Sequence, residues 1–107
     1  MSINEKMAKL MGWTQFLTNT DGEILAVAEE TGRGNFIWHP STDIAQAWMV
    51  IEKIVQDGTK VEIGNNYYDE NDWYCQFGIE GLGEKFAYAD TAPMAICLAA
   101  EKAGRRE

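Results

Sequence analysis

The chain has 107 residues, 46% hydrophobic and 24% charged, a length that holds one domain and a balance that excludes global disorder. Seventeen Asp and Glu against nine Lys and Arg give a formal net charge of -8. Such a chain repels phosphate backbones and anionic lipid, which argues against direct DNA or RNA binding and against a membrane partner.

A first helix is predicted over residues 2–11. Ser2 can cap it, Glu5 stands three residues on, and Ile3, Met7, Leu10 and Met11 share one face before Gly12 stops it. Residues 14–18 and 23–28 flank Thr20-Asp21-Gly22, a turn suited to a hairpin. A second loop at 31–35 precedes the short apolar stretch Phe36-Ile37-Trp38. Pro40-Ser41-Thr42-Asp43 then signals a helix over 42–57, a hydroxyl capping it and the carboxylate falling in its first turn, with Ile44, Ala47, Trp48, Ile51, Ile54 and Val55 at helical spacing and Gly58 as the stop.

Three strands follow, at 60–63, 72–79 and 84–89, joined by Gly-, Asn- and Asp-rich connections short enough for hairpins. Alternation puts Trp73, Cys75, Phe77 and Ile79 on one face and Tyr74 and Gln76 on the other, with Phe86 and Tyr88 opposite Lys85 and Ala87. Asp90-Thr91-Ala92-Pro93 opens a last helix over 92–104, rich in alanine and able to lie close to a sheet. The fold class is α+β in one domain, 1–107. An α-β-β-β-α core with a three-stranded antiparallel sheet fills 41–104, and an N-terminal helix with a hairpin fills 1–40. Trp48, Ile51, Val61, Trp73, Phe77, Phe86 and Ile96 are predicted to meet in one core.

The same element order occurs in double-stranded RNA-binding domains, but residues 61–84 carry Glu62, Asp69, Glu70, Asp72, Glu80 and Glu84 with no Lys or Arg, so charge decides against RNA. A calcium loop from Asp69 fails because Trp73 and Tyr74 stand where an oxygen ligand and a glycine are required. No metal or cofactor is expected. His39 is the only histidine, and it pairs with Cys75 or Cys97 by no local signature. Both cysteines lie in apolar runs, as buried free thiols of a reducing cytoplasm do. Residues 1–6 lack the apolar core of a signal peptide, and no run nears the roughly 20 residues of a membrane span. Aromatic residues at non-core phases among carboxylates make Tyr67, Tyr68, Asp69, Glu70, Asp72 and Tyr74 the candidate recognition surface; the alternative is that Tyr74 packs under the N-terminal segment and Tyr67-Tyr68 only shape a turn. Arg33, Lys60 and Lys85 are the local cations able to hold an anion.

Met11-Gly12-Trp13, the stretch from Trp38 to Trp48 with Ser41-Thr42-Asp43-Ile44, and the stretch from Ala89 to Cys97 with Asp90-Thr91-Ala92-Pro93 together resemble the phage ABA sandwich domain family. The resemblance implies a helix–sheet–helix sandwich and a phage or prophage gene, and supplies no catalytic residues. Segment 14–37 is longer than the family pattern. On this basis the expected function is that of a non-enzymatic accessory protein that neutralises a host defence factor in the host cytosol. Two mechanisms fit. An acidic surface can stand in for nucleic acid against a basic host protein, or a homo-oligomer can trap a nucleotide-derived signal, with helix starts at Ser41 or Thr91 holding phosphates. A small nucleotide-modifying or hydrolytic enzyme with a Cys/His site is the alternative class.

Overall fold

A computed structural model describes residues 2–13, 16–18, 20, 23–26, 36–56, 58–65, 73–78 and 86–104, apart from the side chains of Phe16, Ala26 and Phe86. Among these residues the elements follow in the order α1 (Ile3–Leu10), β1 (Phe16–Thr18), β2 (Ile24–Ala26), β3 (Phe36–Trp38), α2 (Ile44–Val55), β4 (Val61–Asn65), β5 (Trp73–Phe77), β6 (Phe86–Ala89) and α3 (Ala92–Gly104). The strands make two three-stranded antiparallel sheets, β1-β2-β3 and β4-β5-β6. The α+β class and the α-β-β-β-α core are both present.

Local chemistry explains α1. Ser2 Oγ accepts the Glu5 N–H at 3.1 Å, filling one of the orphan donors of the first turn. At the far end Gly12 adopts a φ of +89°, where a side chain would be strained. Its N–H reaches Lys9 O at 2.9 Å while Trp13 N–H reaches Ala8 O at 3.1 Å, the two bonds of a Schellman closure. The Met11-Gly12-Trp13 motif is therefore a stop that delivers an aromatic residue to the core, and Trp13 is buried.

Trp13 meets Trp38 edge to face with ring centroids 4.6 Å apart, and Phe36 lies 6.2 Å from each. Trp38 also donates its indole N–H to Asn4 O at 3.0 Å, and Asn4 Oδ1 accepts the Ser41 N–H at 3.0 Å. One residue of α1 thus pins both β3 and the approach to α2. The predicted hairpin is present as the β1–β2 pair; its turn residues Asp21 and Gly22 lie outside the described residues. The apolar stretch at 36–38 is the third strand of that sheet, with Trp38 opposite Ile24. Ile24 and Trp38 are buried, whereas Leu17 and Ile37 on the other face are exposed. On the outer edge of β3, Gln46 Oε1 accepts from His39 N at 2.6 Å and Gln46 Nε2 donates to Ile37 O at 2.8 Å.

Asp43 caps α2, its Oδ1 accepting the Gln46 N–H at 3.0 Å, so the start signal at 40–43 acts at its last residue. α3 is the centre of the molecule: β5 and β6 pack on it, and so do α1 and α2. Ala95, Ile96, Cys97, Ala99 and Ala100 are all buried there, and the small side chains permit contact on more than one side. Lys6 Nζ and Glu101 Oε2, 2.6 Å apart, tie α1 to α3.

The predicted core needs correction at Trp48. Ile51, Phe77 and Ile96 are buried, and Val61 and Trp73 pack against them, but Trp48 is 50% exposed. The helix phase that seats Ala47, Val50 and Ile51 inward turns position 48 about 100° away from position 47. Trp48 there joins Ile44 and Glu52, both exposed. Trp48→Ala is accordingly expected to change the unfolding free energy by less than about 1 kcal/mol in urea denaturation; a loss of about 3 kcal/mol or more would return it to the core. The predicted alternation on β6 also has its phase reversed, with Ala87 buried opposite Cys75 and Tyr88 outward; the side chain of Phe86 lies outside the described residues. No helix among the described residues is long and apolar enough to cross a membrane.

Candidate functional site

Alternation along β4, β5 and β6 sends Cys75, Phe77 and Ala87 toward α3. The opposite face carries Glu62, Gly64, Tyr74, Gln76 and Tyr88. On that face Tyr88 is 55% exposed and Glu62 is exposed, whereas Gly64, Tyr74 and Gln76 are half-buried. Gly64 stands opposite Tyr74, and Tyr74 opposite Tyr88. The absence of a side chain at Gly64 is what lets the Tyr74 ring lie down across β4. A Cβ at that position would come within 2.6 Å of the ring and its hydroxyl. Laid in this direction, Tyr74 Oη donates to Glu62 Oε2 at 3.0 Å. On its other side the ring meets Tyr88 edge to face, with centroids 6.4 Å apart and planes at 67°.

Electrostatics hold this arrangement. The hydrogen bond to Glu62 raises the Tyr74 pKa above its ordinary value, helped by desolvation and by the charges of Glu62 and Tyr88. The phenol therefore stays a donor and Glu62 its acceptor. Lys60 is exposed, lies two residues before Glu62 and shares its phase, and its carbonyl accepts the Gly78 N–H at 2.8 Å. Of the residues predicted for binding, Tyr74 and Lys60 thus lie on one sheet face. Tyr67, Tyr68, Asp69, Glu70, Asp72, Lys85 and Arg33 fall outside the described residues. Glu62, Gly64 and Tyr88 were not singled out by sequence reasoning; the signal for them is the register that sets all three beside Tyr74.

The described residues that a catalytic reading would use are His39 and the two cysteines. His39 Nδ1 is 3.0 Å from Thr42 Oγ1, and Nε2 is 3.8 Å from Asp43 Oδ2, a hydroxyl–imidazole–carboxylate series. The Thr42 hydroxyl also lies 3.3 Å from His39 O, a backbone acceptor that competes with Nδ1 for its single proton. Burial pushes both Cys75 and Cys97 up to about 12, with Cys75 adding to the effect at Cys97. A buried neutral thiol is not a nucleophile. Among the described residues no group of three or more His, Cys, Asp or Glu is placed to hold a metal ion.

The helix starts proposed to hold phosphates also look different in place. Ser41 is buried and its N–H is taken by Asn4, and the start of α2 already holds the Asp43 carboxylate. At α3, Thr91 Oγ1 accepts the Met94 N–H at 3.4 Å.

The model of the phage ABA sandwich domain matches residues 7–100 of the chain. No curated protein and no solved structure matches it.

Proposed function

The chain belongs to the phage ABA sandwich domain family, and from that premise we propose that it is a non-enzymatic accessory protein that neutralises a host defence factor by presenting an acidic, nucleic-acid-like surface to a basic protein. The observation that carries this reading is the outer face of the β4-β5-β6 sheet, where the exposed Glu62 accepts a hydrogen bond from the half-buried Tyr74. Carboxylates on such a surface occupy the positions of phosphates against a cationic groove, and a net charge of -8 draws the partner in. Sequestration of a nucleotide signal is the second reading, favoured by Lys60 on the same face. Glu62 stands between Lys60 and the rings and repels the phosphates such a signal would carry.

The experiment is affinity capture of the host protein followed by competition with duplex DNA and with RNA. Salt-sensitive retention, displaced by nucleic acid, is the expected result. Replacing Asp69, Glu70 and Asp72 by Asn, Gln and Asn is expected to slow association more than it speeds dissociation, since peripheral charges chiefly steer encounter. Release of an intact nucleotide on heating the purified protein would transfer the assignment to sequestration. Retention unmoved by salt or by nucleic acid would overturn the mimic.

A further inference from the structure

We infer that the Ile44–Trp48–Glu52 ridge of α2 docks a basic amphipathic helix of a partner protein, with the aliphatic face of that helix on Ile44 and Trp48 and a lysine or arginine at Glu52. The inference goes beyond the acidic-surface reading and does not rest on it, because it concerns a helix and not the β4-β5-β6 face.

Residues four apart on a helix lie one turn on and about 40° round, so 44, 48 and 52 form a single ridge. Ile44 is 52% and Trp48 50% exposed. Glu52 is exposed at the end of the row, and Ala45 is exposed beside it. The inward face of α2 is taken by Ala47, Val50 and Ile51, so the helix cannot roll to hide the ridge without uncovering these three. Two large apolar side chains one turn apart are the anchors of helix-in-groove recognition, and tryptophan is among the residues that dominate such contacts. The small Ala45 lets a facing backbone come close.

Charge selects the occupant. Among the described residues Glu52 has no ion pair and no hydrogen bond from its side chain, and it belongs to a chain of net charge -8. Lys53, the other exposed charge of that turn, is about 140° round from Trp48 and points away from the ridge. A cation one turn beyond the partner's apolar contacts completes the row, whereas an acidic helix is repelled. A second copy of this chain fits badly in either direction. Turned antiparallel about Trp48, it lays each Glu52 on the Ile44 of the other copy and strands both carboxylates on aliphatic surface. Run parallel, it sets Glu52 against Glu52.

The test is titration of the isotope-labelled full chain with a helical peptide of about 18 residues, built of leucine and lysine with leucine at helical spacing. A scrambled peptide of the same composition and a leucine–glutamate counterpart run alongside at constant ionic strength. The largest amide shifts are expected over residues 44–52, with the amphipathic leucine–lysine peptide binding about tenfold tighter than the scrambled one. Trp48→Ala is expected to weaken it about tenfold, and Glu52→Lys about three- to tenfold. Both side chains are exposed, and an unchanged melting point confirms that each variant is folded. The free chain is expected to sediment as a monomer.

Equal binding by the wild type and both variants, or shifts centred outside α2, would overturn the ridge. Binding of the scrambled peptide as tight as that of the amphipathic one would reduce the effect to bulk charge and overturn the docking site. Equal binding of the leucine–glutamate peptide would overturn the basic partner. A wild-type dimer that Trp48→Ala converts to monomer would give the ridge to a second copy and overturn the assignment.

Discussion

Trp38→Ala is expected to cost about 4–5 kcal/mol of unfolding free energy, measured by urea denaturation at neutral pH. Trp38 is 1% exposed and packs against Trp13 and Phe36. Its indole N–H bonds Asn4 O at 3.0 Å, so truncation opens a large cavity and also removes a tie between β3 and α1. Against a domain stability of about 5–15 kcal/mol, a loss of this size brings the chain near its unfolding threshold. Trp38→Phe keeps much of the packing and loses the donor, and should cost about 1–2 kcal/mol. A Trp38→Ala variant within about 1 kcal/mol of wild type would show that the aromatic group is not a centre of the core.

Alkaline pH is expected to produce the second large effect. Burial moves both thiols from an ordinary value of 9.0 to about 12, so each folded-state value lies above the unfolded one. The unfolded chain then gives up these protons at lower pH than the folded chain does. The stabilisation is complete below pH 9 and is lost as pH rises toward 12. One unit of displacement corresponds to about 1.4 kcal/mol, which puts the combined loss on the order of several kcal/mol. The control is a Cys75→Ala/Cys97→Ala double variant. It should be less stable at pH 7.5, by about 1–3 kcal/mol for the cavities, and its stability should fall less steeply above pH 9. Parallel pH profiles for wild type and variant would remove the thiols as the cause. Thiol reagents should likewise leave the folded wild type unmodified near neutral pH.

The features legible in the sequence are those set by near neighbours. Ser2 with Glu5, Gly12 after α1 and the Thr91 start of α3 act within four residues of where they stand, and all three appear in place; at α2 the start is legible but the roles differ, since Asp43 caps the helix in place of a hydroxyl and no carboxylate lies in the first turn. The Tyr74/Cys75 alternation on β5 also follows directly, because five residues suffice to show period two. Trp48 was misplaced because Ile44, Ala47, Trp48 and Ile51 span a wider arc than α3 covers, and hydrophobicity alone favours the larger side chain for the interior. At that contact the smaller Ala47 is the buried one. The same competition reversed β6, where Ala87 rather than Tyr88 faces inward opposite Cys75. β3 is three residues long, too short for a periodic signal. In the candidate site, Tyr74 stood out as an off-phase aromatic, but its partners depend on the register between β4, β5 and β6, a long-range property.

Gln46 carries a consequence for association between molecules. Its side-chain amide offers a donor and an acceptor to Ile37 O and His39 N, the pair of groups that an added strand would otherwise engage on the outer edge of β3. An uncovered edge is a template for fibril-like growth, and a lone carboxamide is enough to occupy these two positions without presenting a fresh edge of its own. The block is borne by α2, whose first turn Asp43 secures through the Gln46 N–H. Fraying of that turn would therefore release the helix start and expose the strand together, so resistance to polymerisation along β3 is coupled to the integrity of a neighbouring helix.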